Sequence, residues 1–239
     1  MFAQMPDAPL DIAVDVFVWA ETAEQGLKLM LGDPARVELA GRSLKALKET
    51  RQLPEGYEYL WYLAQSNVFA GFSEGDRRGI HAVTDDDFGI IKKPLDIPLT
   101  PSTKISFDWL YSHLPALVSE TDPANHDYLS IALEFENGQD ITWMWSKDIK
   151  PDTIFECPLP EWQHRETHIV LQSGAEGLGE WHSHTRSVQD DYAAAVGGEM
   201  PSRIVGVWII GNAVFGLQPA EAYFANAVVS DGETSHKLM

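Results

Sequence analysis

The sequence predicts an all-β fold: an antiparallel, jelly-roll-like β-sandwich with one N-terminal amphipathic helix. Three observations predict it. About seven short β-type runs follow one another from Lys104 to Ser230, each bounded by turn residues, with few helices between them. An Asn137-Gly138 step sits between two runs that alternate apolar and polar residues, which is a hairpin signal. Sustained helical spacing appears in one place only, from Pro34 to Leu53.

In chain order, Val14–Trp19 is an apolar, β-branched run and reads as a short strand. Asp33 can cap the helix that follows, and Pro34 suits its first position, where a missing N–H costs nothing. Val37, Ala40, Leu44 and Leu47 form its apolar stripe, and Pro54 with Gly56 ends it. The opposite stripe carries Arg36, Arg42, Lys45, Lys48 and Arg51. That stripe reads as a solvated face, or as a docking surface for the acidic remainder or for a second copy in a homodimer. Tyr57–Phe72 is aromatic-rich and reads as a helix or a lid over an apolar site, with Tyr62 and Phe72 as substrate contacts. The β runs are Lys104–Tyr111, Leu129–Phe135, Ile141–Ser146, Thr167–Gln172, Glu180–Val188, Arg203–Ile210 and Ala222–Ser230. Gln139 and Asp140 extend the Asn137-Gly138 turn beyond two residues. One domain over 1–239 is expected, with 1–79 packing on a sandwich formed by 80–239.

Composition narrows the function. Of 239 residues, 17 are Lys or Arg and 36 are Asp or Glu, a formal charge of −19. Such a charge repels phosphate backbones, so neither nucleic acid nor an anionic membrane is an expected partner. Cys157 is the only cysteine, which excludes both an internal disulfide and a zinc cluster built on cysteines. No apolar stretch approaches the ~20 residues of a membrane span, and Asp7, Asp11 and Asp15 interrupt the order of a secretory signal. A cytoplasmic location is the resulting expectation. No G-x-S-x-G, glycine-rich phosphate loop or H-E-x-x-H is present.

From about Lys104 to Asp231 the order of motifs resembles a bacterial family known as domain of unknown function 3047. The matching pieces are KISFDWLYSHLP, YLSIALEFENG with ITWMWS, HRETHIVLQSG, GEWHSHTRSVQDDYAAAVGG, PSRIVGVWIIGN and AEAYFANAVVS. The resemblance implies a jelly-roll-like sandwich of the sort that carbohydrate-binding modules also use, and it implies no particular activity. Two departures stand out. His182 and His184 replace an acidic residue near the Trp181 strand, and Gly211–Phe215 replaces an Asp/Asn-rich turn.

Several residues can carry chemistry. His182 and His184 are two apart on a strand, so they share a face with Arg186, while Trp181, Ser183 and Thr185 face the other way. The pair reads as structurally bonded, as an acid–base pair titrating near neutrality, or as part of a metal site. A metal would need a third ligand from His168, Glu134 or Asp108. The spacing alone does not supply one, so neither a metal nor a cofactor is expected. Asp108 lies opposite Phe107 and Trp109, and Glu134 lies opposite Leu133 and Phe135. If that opposite face were a shared ligand-facing side, the carboxylates and histidines would converge on one pocket. Trp109, Trp143, Trp145, Trp162, Trp181 and Trp208 read mainly as core; two or three exposed on one face would make a sugar platform. Cys157 lacks a base near it in sequence, with His164 a loose candidate.

The first functional expectation is a cofactor-independent isomerase or lyase that catalyses cyclisation, cycloaddition, hydration or dehydration of an apolar small molecule in a sandwich cavity. His182, His184, Asp108 and Glu134 would move protons, and Arg186, Trp109, Trp143, Trp208, Tyr62 and Phe72 would hold the substrate. The rival is a non-catalytic carbohydrate-binding module. A third reading is a structural protein docking through its basic helix.

Overall fold

The computed structural model describes residues 52–62, 67–85, 87–216 and 218–239. The strand expected at Val14–Trp19 and the helix expected from Pro34 fall outside those residues. The described residues build two stacked sheets, as the sequence predicts.

One sheet has seven strands in the order β1 (Glu58–Tyr62), β4 (Phe88–Pro98), β11 (Arg203–Asn212), β6 (Tyr128–Phe135), β7 (Asp140–Ser146), β9 (Glu166–Ser173) and β8 (Ile154–Glu156). The other runs β10 (His182–Ser187), β5 (Lys104–His113), β12 (Ala220–Ser230), β3 (Arg77–Thr84) and β2 (Phe69–Glu74), with β13 (Ser235–Lys237) also pairing β12. All seven expected runs are strands. The pairing is antiparallel except between β7 and β9, which run parallel because the connection from 147 to 165 crosses back before β9 begins. In place of the helix or lid expected over Tyr57–Phe72, the described residues supply β1 to one sheet and the start of β2 to the other.

The Asn137-Gly138 turn forms as expected. Gly138 has φ 80° and donates to the Phe135 carbonyl, while Phe135 donates to that of Gln139, so residues 136–139 make the longer loop. The one helix among the described residues is α1 (Val188–Ala195). Ser187 caps it by accepting from the Asp190 amide, and Asp190 and Asp191 complement its N-terminal dipole.

Strand alternation sends one set of side chains between the sheets. Phe107, Trp109 and Tyr111 of β5 meet Trp143 and Trp145 of β7, all 0–2% exposed. Tyr111 Oη donates across the layer to the Leu129 carbonyl at 2.7 Å. A second apolar cluster (Tyr128, Met144, Val170, Trp208 and Ile210) lies on the outer face of the seven-stranded sheet, where Phe155 and Trp162 cover it.

Candidate functional site

The two outer faces of the sandwich differ, and each collects polar residues. On the six-stranded sheet, alternation turns Phe72, His81 and Tyr223 outward, because Phe69, Ile80, Ala82, Ala222 and Phe224 fill the core. Trp181 joins them from the residue before β10. Tyr223 stands opposite His81 on one side and Leu110 on the other. In the adjacent row Phe72 pairs Gly79, Gly79 pairs Ala225, and Ala225 pairs Asp108. Gly79 and Ala225 are small, so large rings can lie across them. A Cβ at Gly79 would come within 1.9 Å of the Phe224 carbonyl oxygen, so only glycine permits this strand contact.

The result is a platform of four partly exposed rings. Phe72 stacks on Trp181 at 6.1 Å and meets Tyr223 edge-on at 5.2 Å. His81 lies parallel to Tyr223 at 4.2 Å, and Trp181 is 6.2 Å from Tyr223. Arg77 sits 4.5 Å above the Trp181 ring, where its charge faces the negative face of the indole. Polar groups rim the rings. Glu221 accepts from His81 Nε2 at 2.8 Å and from Tyr223 Oη at 3.1 Å. Asp108 accepts from Ser183 Oγ and Asn226 Nδ2. Burial pushes the Glu221 carboxyl up, but hydrogen bonds from His81, Tyr223 and Ser112 outweigh it and hold the group below the ordinary carboxylate range.

The outer face of the seven-stranded sheet is sealed. Segment 114–127 folds over it and is tied down. Glu120 accepts from Ser146 Oγ and the Lys147 amide, Asn212 donates to the His126 carbonyl, and Asp127 accepts from the amides of Phe215 and Gly216. His126 of this segment and Asp140, Glu166 and His168 of the sheet are all 0–3% exposed, and Cys157 is buried as well. Burial lowers His126 to about 4, and burial with the neighbouring His126 pushes His168 well down. Burial raises Asp140 well above the carboxylate range, with the Glu166 charge adding to it. Among the described residues, His126, Cys157 and His168 are the group that could hold a metal, with their candidate ligand atoms within 4.8 Å of one another.

The expected convergence of carboxylates and histidines does not occur. Asp108 is on the outer face of the six-stranded sheet, and Glu134 is on the outer face of the seven-stranded one. There Lys92, Arg165 and Trp208 Nε1 occupy the Glu134 carboxylate at 2.5, 3.3 and 3.2 Å. Alternation assigns a face correctly, but β5 and β6 belong to different sheets. His182 and His184 do share a face with Arg186, and that face points inward at the sandwich edge. His182 Nε2 donates to the Gly177 carbonyl and packs on Trp145; His184 Nε2 donates to Gln172 Oε1 and packs on Trp109. Burial, helped by the charges of His182 and Arg186, lowers His184 to about 4, so it does not titrate near neutrality as expected. Arg186 is bonded by both Nε and Nη2 to Asp191, which also accepts from Trp143 Nε1 at 2.8 Å.

The hollow expected between the sheets is filled. Trp109 and Trp143, with 0% exposure, are core, and Trp208, at 1%, packs beneath Trp162 on the sealed face. None of the three has a ring face open to a substrate, because the indoles themselves close the layer. Phe72 does reach a candidate site, while the side chain of Tyr62 lies outside the described set. Trp181, Tyr223, His81 and Arg77 were missed as a group. The signal for Tyr223 was present in its placement between inward Ala222 and Phe224. His168 is no third ligand for the His182 pair, and the base near Cys157 is His126, not His164: His126 Nε2 is 3.4 Å from its sulfur.

Residues 61–228 match the family described as "Protein of unknown function (DUF3047)". The chain belongs to this family. No curated protein matches it. Among solved structures, it is similar to the native family 12 xyloglucanase from Bacillus licheniformis, at 10% identity and TM-score 0.43, covering 75% of this chain and 95% of that one. It is similar to the xyloglucanase domain of NopAA, a type three effector from Sinorhizobium fredii, in complex with cellobiose (10% identity, TM-score 0.40, 77% and 96% covered). TmCBM61 in complex with β-1,4-galactotriose is a further similar structure, at 7% identity and TM-score 0.34, with 74% and 88% covered. Likeness of that degree informs neither substrate nor mechanism for this member of the family.

Proposed function

We propose that this protein binds carbohydrate non-catalytically on the outer face of its six-stranded sheet, by stacking sugar rings on Trp181, Tyr223 and Phe72. The observation that carries the reading is the ring platform itself: large aromatic surfaces left partly exposed, in mutual contact, with charged and hydrogen-bonding groups at the rim. A pyranose has apolar C–H faces and a polar perimeter. The rings suit the former, and Arg77, Asp108 and Asn226 suit the hydroxyls of the latter. Glu221 is held as an acceptor by His81 and Tyr223, which suits hydroxyl binding and keeps this carboxyl from serving as a proton donor of the glycosidase type.

An isomerase or lyase working between the sheets gains no support from this arrangement, since the indoles that would wall its cavity are packed against one another. The test is calorimetric titration with soluble β-linked glucan, xylan and galactan oligosaccharides, with α-linked glucans as controls. One class is expected to bind, and Trp181→Ala is expected to weaken it at least about tenfold, equivalent to ~1.4 kcal/mol. Absence of binding to every class at millimolar ligand, or equal affinity in the variant, would remove the proposal.

A further inference from the structure

We propose that His126, Cys157 and His168 form a previously unassigned metal site, completed by Glu166, that takes a zinc-type divalent cation. The site is independent of the ring platform and lies on the other face of the sandwich.

Three separate segments bring the ligands together. His126 ends the sealing segment before β6, Cys157 follows β8, and Glu166 and His168 project from β9. Register explains the meeting. His168 lies opposite Phe155, and Glu166 accepts the Cys157 amide on its carbonyl, so the thiol is carried to the end of β9 where Glu166 and His168 emerge. The candidate ligand atoms of His126, Cys157 and His168 all lie within 4.8 Å of one another, and the three side chains have 0% exposure. The Cys157 Sγ to His126 Nε2 separation is 3.4 Å. A tetrahedral cation with a sulfur ligand at about 2.3 Å and a nitrogen at about 2.0–2.1 Å sets these atoms about 3.6 Å apart, so little movement is needed to admit one.

Two further observations point to a ligand. The first is His168: both ring nitrogens are buried without a hydrogen-bond partner. Its ring is held against Phe155, Tyr128 and His126, and the nearest carboxylate oxygen, Glu166 Oε1, is 3.6 Å from Nε2. Fully buried polar atoms are ordinarily paired, and a cation is the partner two imidazoles and a thiol can share. The second is the tautomer of His126. Its Nδ1 faces the Glu120 carbonyl at 2.6 Å, and a carbonyl only accepts, so Nδ1 carries the proton and Nε2 keeps the lone pair beside the sulfur. A metal-binding histidine is held in the same way, by an outer hydrogen bond on the nitrogen that does not ligate.

A thiolate with two imidazoles selects a borderline-soft transition cation over calcium or magnesium, and zinc tolerates a carboxylate in the fourth position. Tyr128 and Thr142 donate to Glu166 Oε1 and orient that carboxylate. Binding replaces the thiol proton, which leaves to solvent, so affinity falls as pH is lowered. With every ligand buried, the role is structural: the cation pins segment 114–127 and the β8 connection to β9.

The test uses the full chain. Elemental analysis of protein purified without chelator is expected to find about one zinc per chain, falling to under about 0.2 in Cys157→Ser and His168→Ala. Cobalt added to chelator-treated wild-type protein is expected to give a thiolate-to-cobalt charge-transfer band that Cys157→Ser abolishes. Should the variants fail to fold, as circular dichroism would reveal, the cobalt spectrum of the wild-type chain decides. Less than about 0.1 equivalent of transition metal in the native protein, together with no charge-transfer band on adding cobalt, overturns the proposal.

Discussion

The sandwich offers the same kind of strand pattern on both outer faces, and the two meet opposite fates. On the six-stranded sheet, outward Phe72, His81 and Tyr223 stay partly exposed with Trp181 beside them. On the seven-stranded sheet, outward Tyr128, His168 and Trp208 are buried, because segment 114–127 and the connection carrying β8 fold across them. Alternation therefore decides only that a residue leaves the inter-sheet core. Loops decide whether it then meets solvent. The exposed face retains ring surface, and the sealed face buries its polar groups, pairing Glu120, Asp127 and Glu166 while leaving the His168 nitrogens and the Asp140 carboxylate without hydrogen bonds.

The same substitution on each face breaks this comparison most sharply. Trp208→Ala is expected to cost about 3–5 kcal/mol in urea unfolding, since it empties a buried site and strips Glu134 of a donor. Trp181→Ala is expected to cost under about 1 kcal/mol of stability while weakening ligand binding at least about tenfold. Equal costs would mean that the two faces are not distinct in the way described.

Asp191→Ala is next, at about 2–4 kcal/mol by the same measurement, because it leaves the Trp143 N–H buried without an acceptor and Arg186 without its carboxylate. Restoring most of that stability with Asp191→Asn, which keeps one acceptor for the indole, would separate the Trp143 bond from the ion pair.

On the sealed face, Asp140 has neither carboxylate oxygen in a hydrogen bond, although Arg165 Nε lies 3.5 Å away. Burial favours the uncharged carboxyl, and the Arg165 contact lacks hydrogen-bond geometry. Asp140→Asn is accordingly expected to change stability by no more than about 1 kcal/mol. A loss above about 3 kcal/mol would show that the ion pair contributes far more than its geometry suggests.

The smallest effect concerns pH. His184, lowered to about 4 by burial with His182 and Arg186 and only partly offset by Asp108, stays neutral in the fold while the unfolded chain protonates near 6.5. Its contribution is complete above about pH 6.5 and is lost as pH falls toward about 4. The stability difference between wild type and His184→Gln, measured by urea unfolding across that range, is expected to shrink on acidification. A difference that is flat with pH would contradict the assignment.

Much of the fold was legible. Seven strands, the Asn137-Gly138 hairpin and the placement of Asp108 and Glu134 on the faces opposite their apolar neighbours all follow from period-2 alternation and turn chemistry. The assignment of neighbouring strands to different sheets does not. β5 and β6 are adjacent in sequence yet lie in opposite layers, so Asp108 and Glu134 part company. Helix α1 was hidden because it has only eight residues and follows a strand pattern without a break, though Ser187 followed by Asp190 is its cap signature. The cluster of His126, Cys157 and His168 was invisible for a related reason: the pairing of β8 with β9 and the folding-over of segment 114–127 bring them together, and neither leaves a local spacing to read.

The central claim is that carbohydrate docks on the exposed rings and nowhere in the core. The most direct measurement is the indole N–H region of the protein NMR spectrum, assigned by single substitutions and followed during titration with the binding oligosaccharide. Trp181 is expected to shift progressively while Trp109, Trp143, Trp145 and Trp208 hold still. Movement of the buried indoles with Trp181 unmoved would contradict the account.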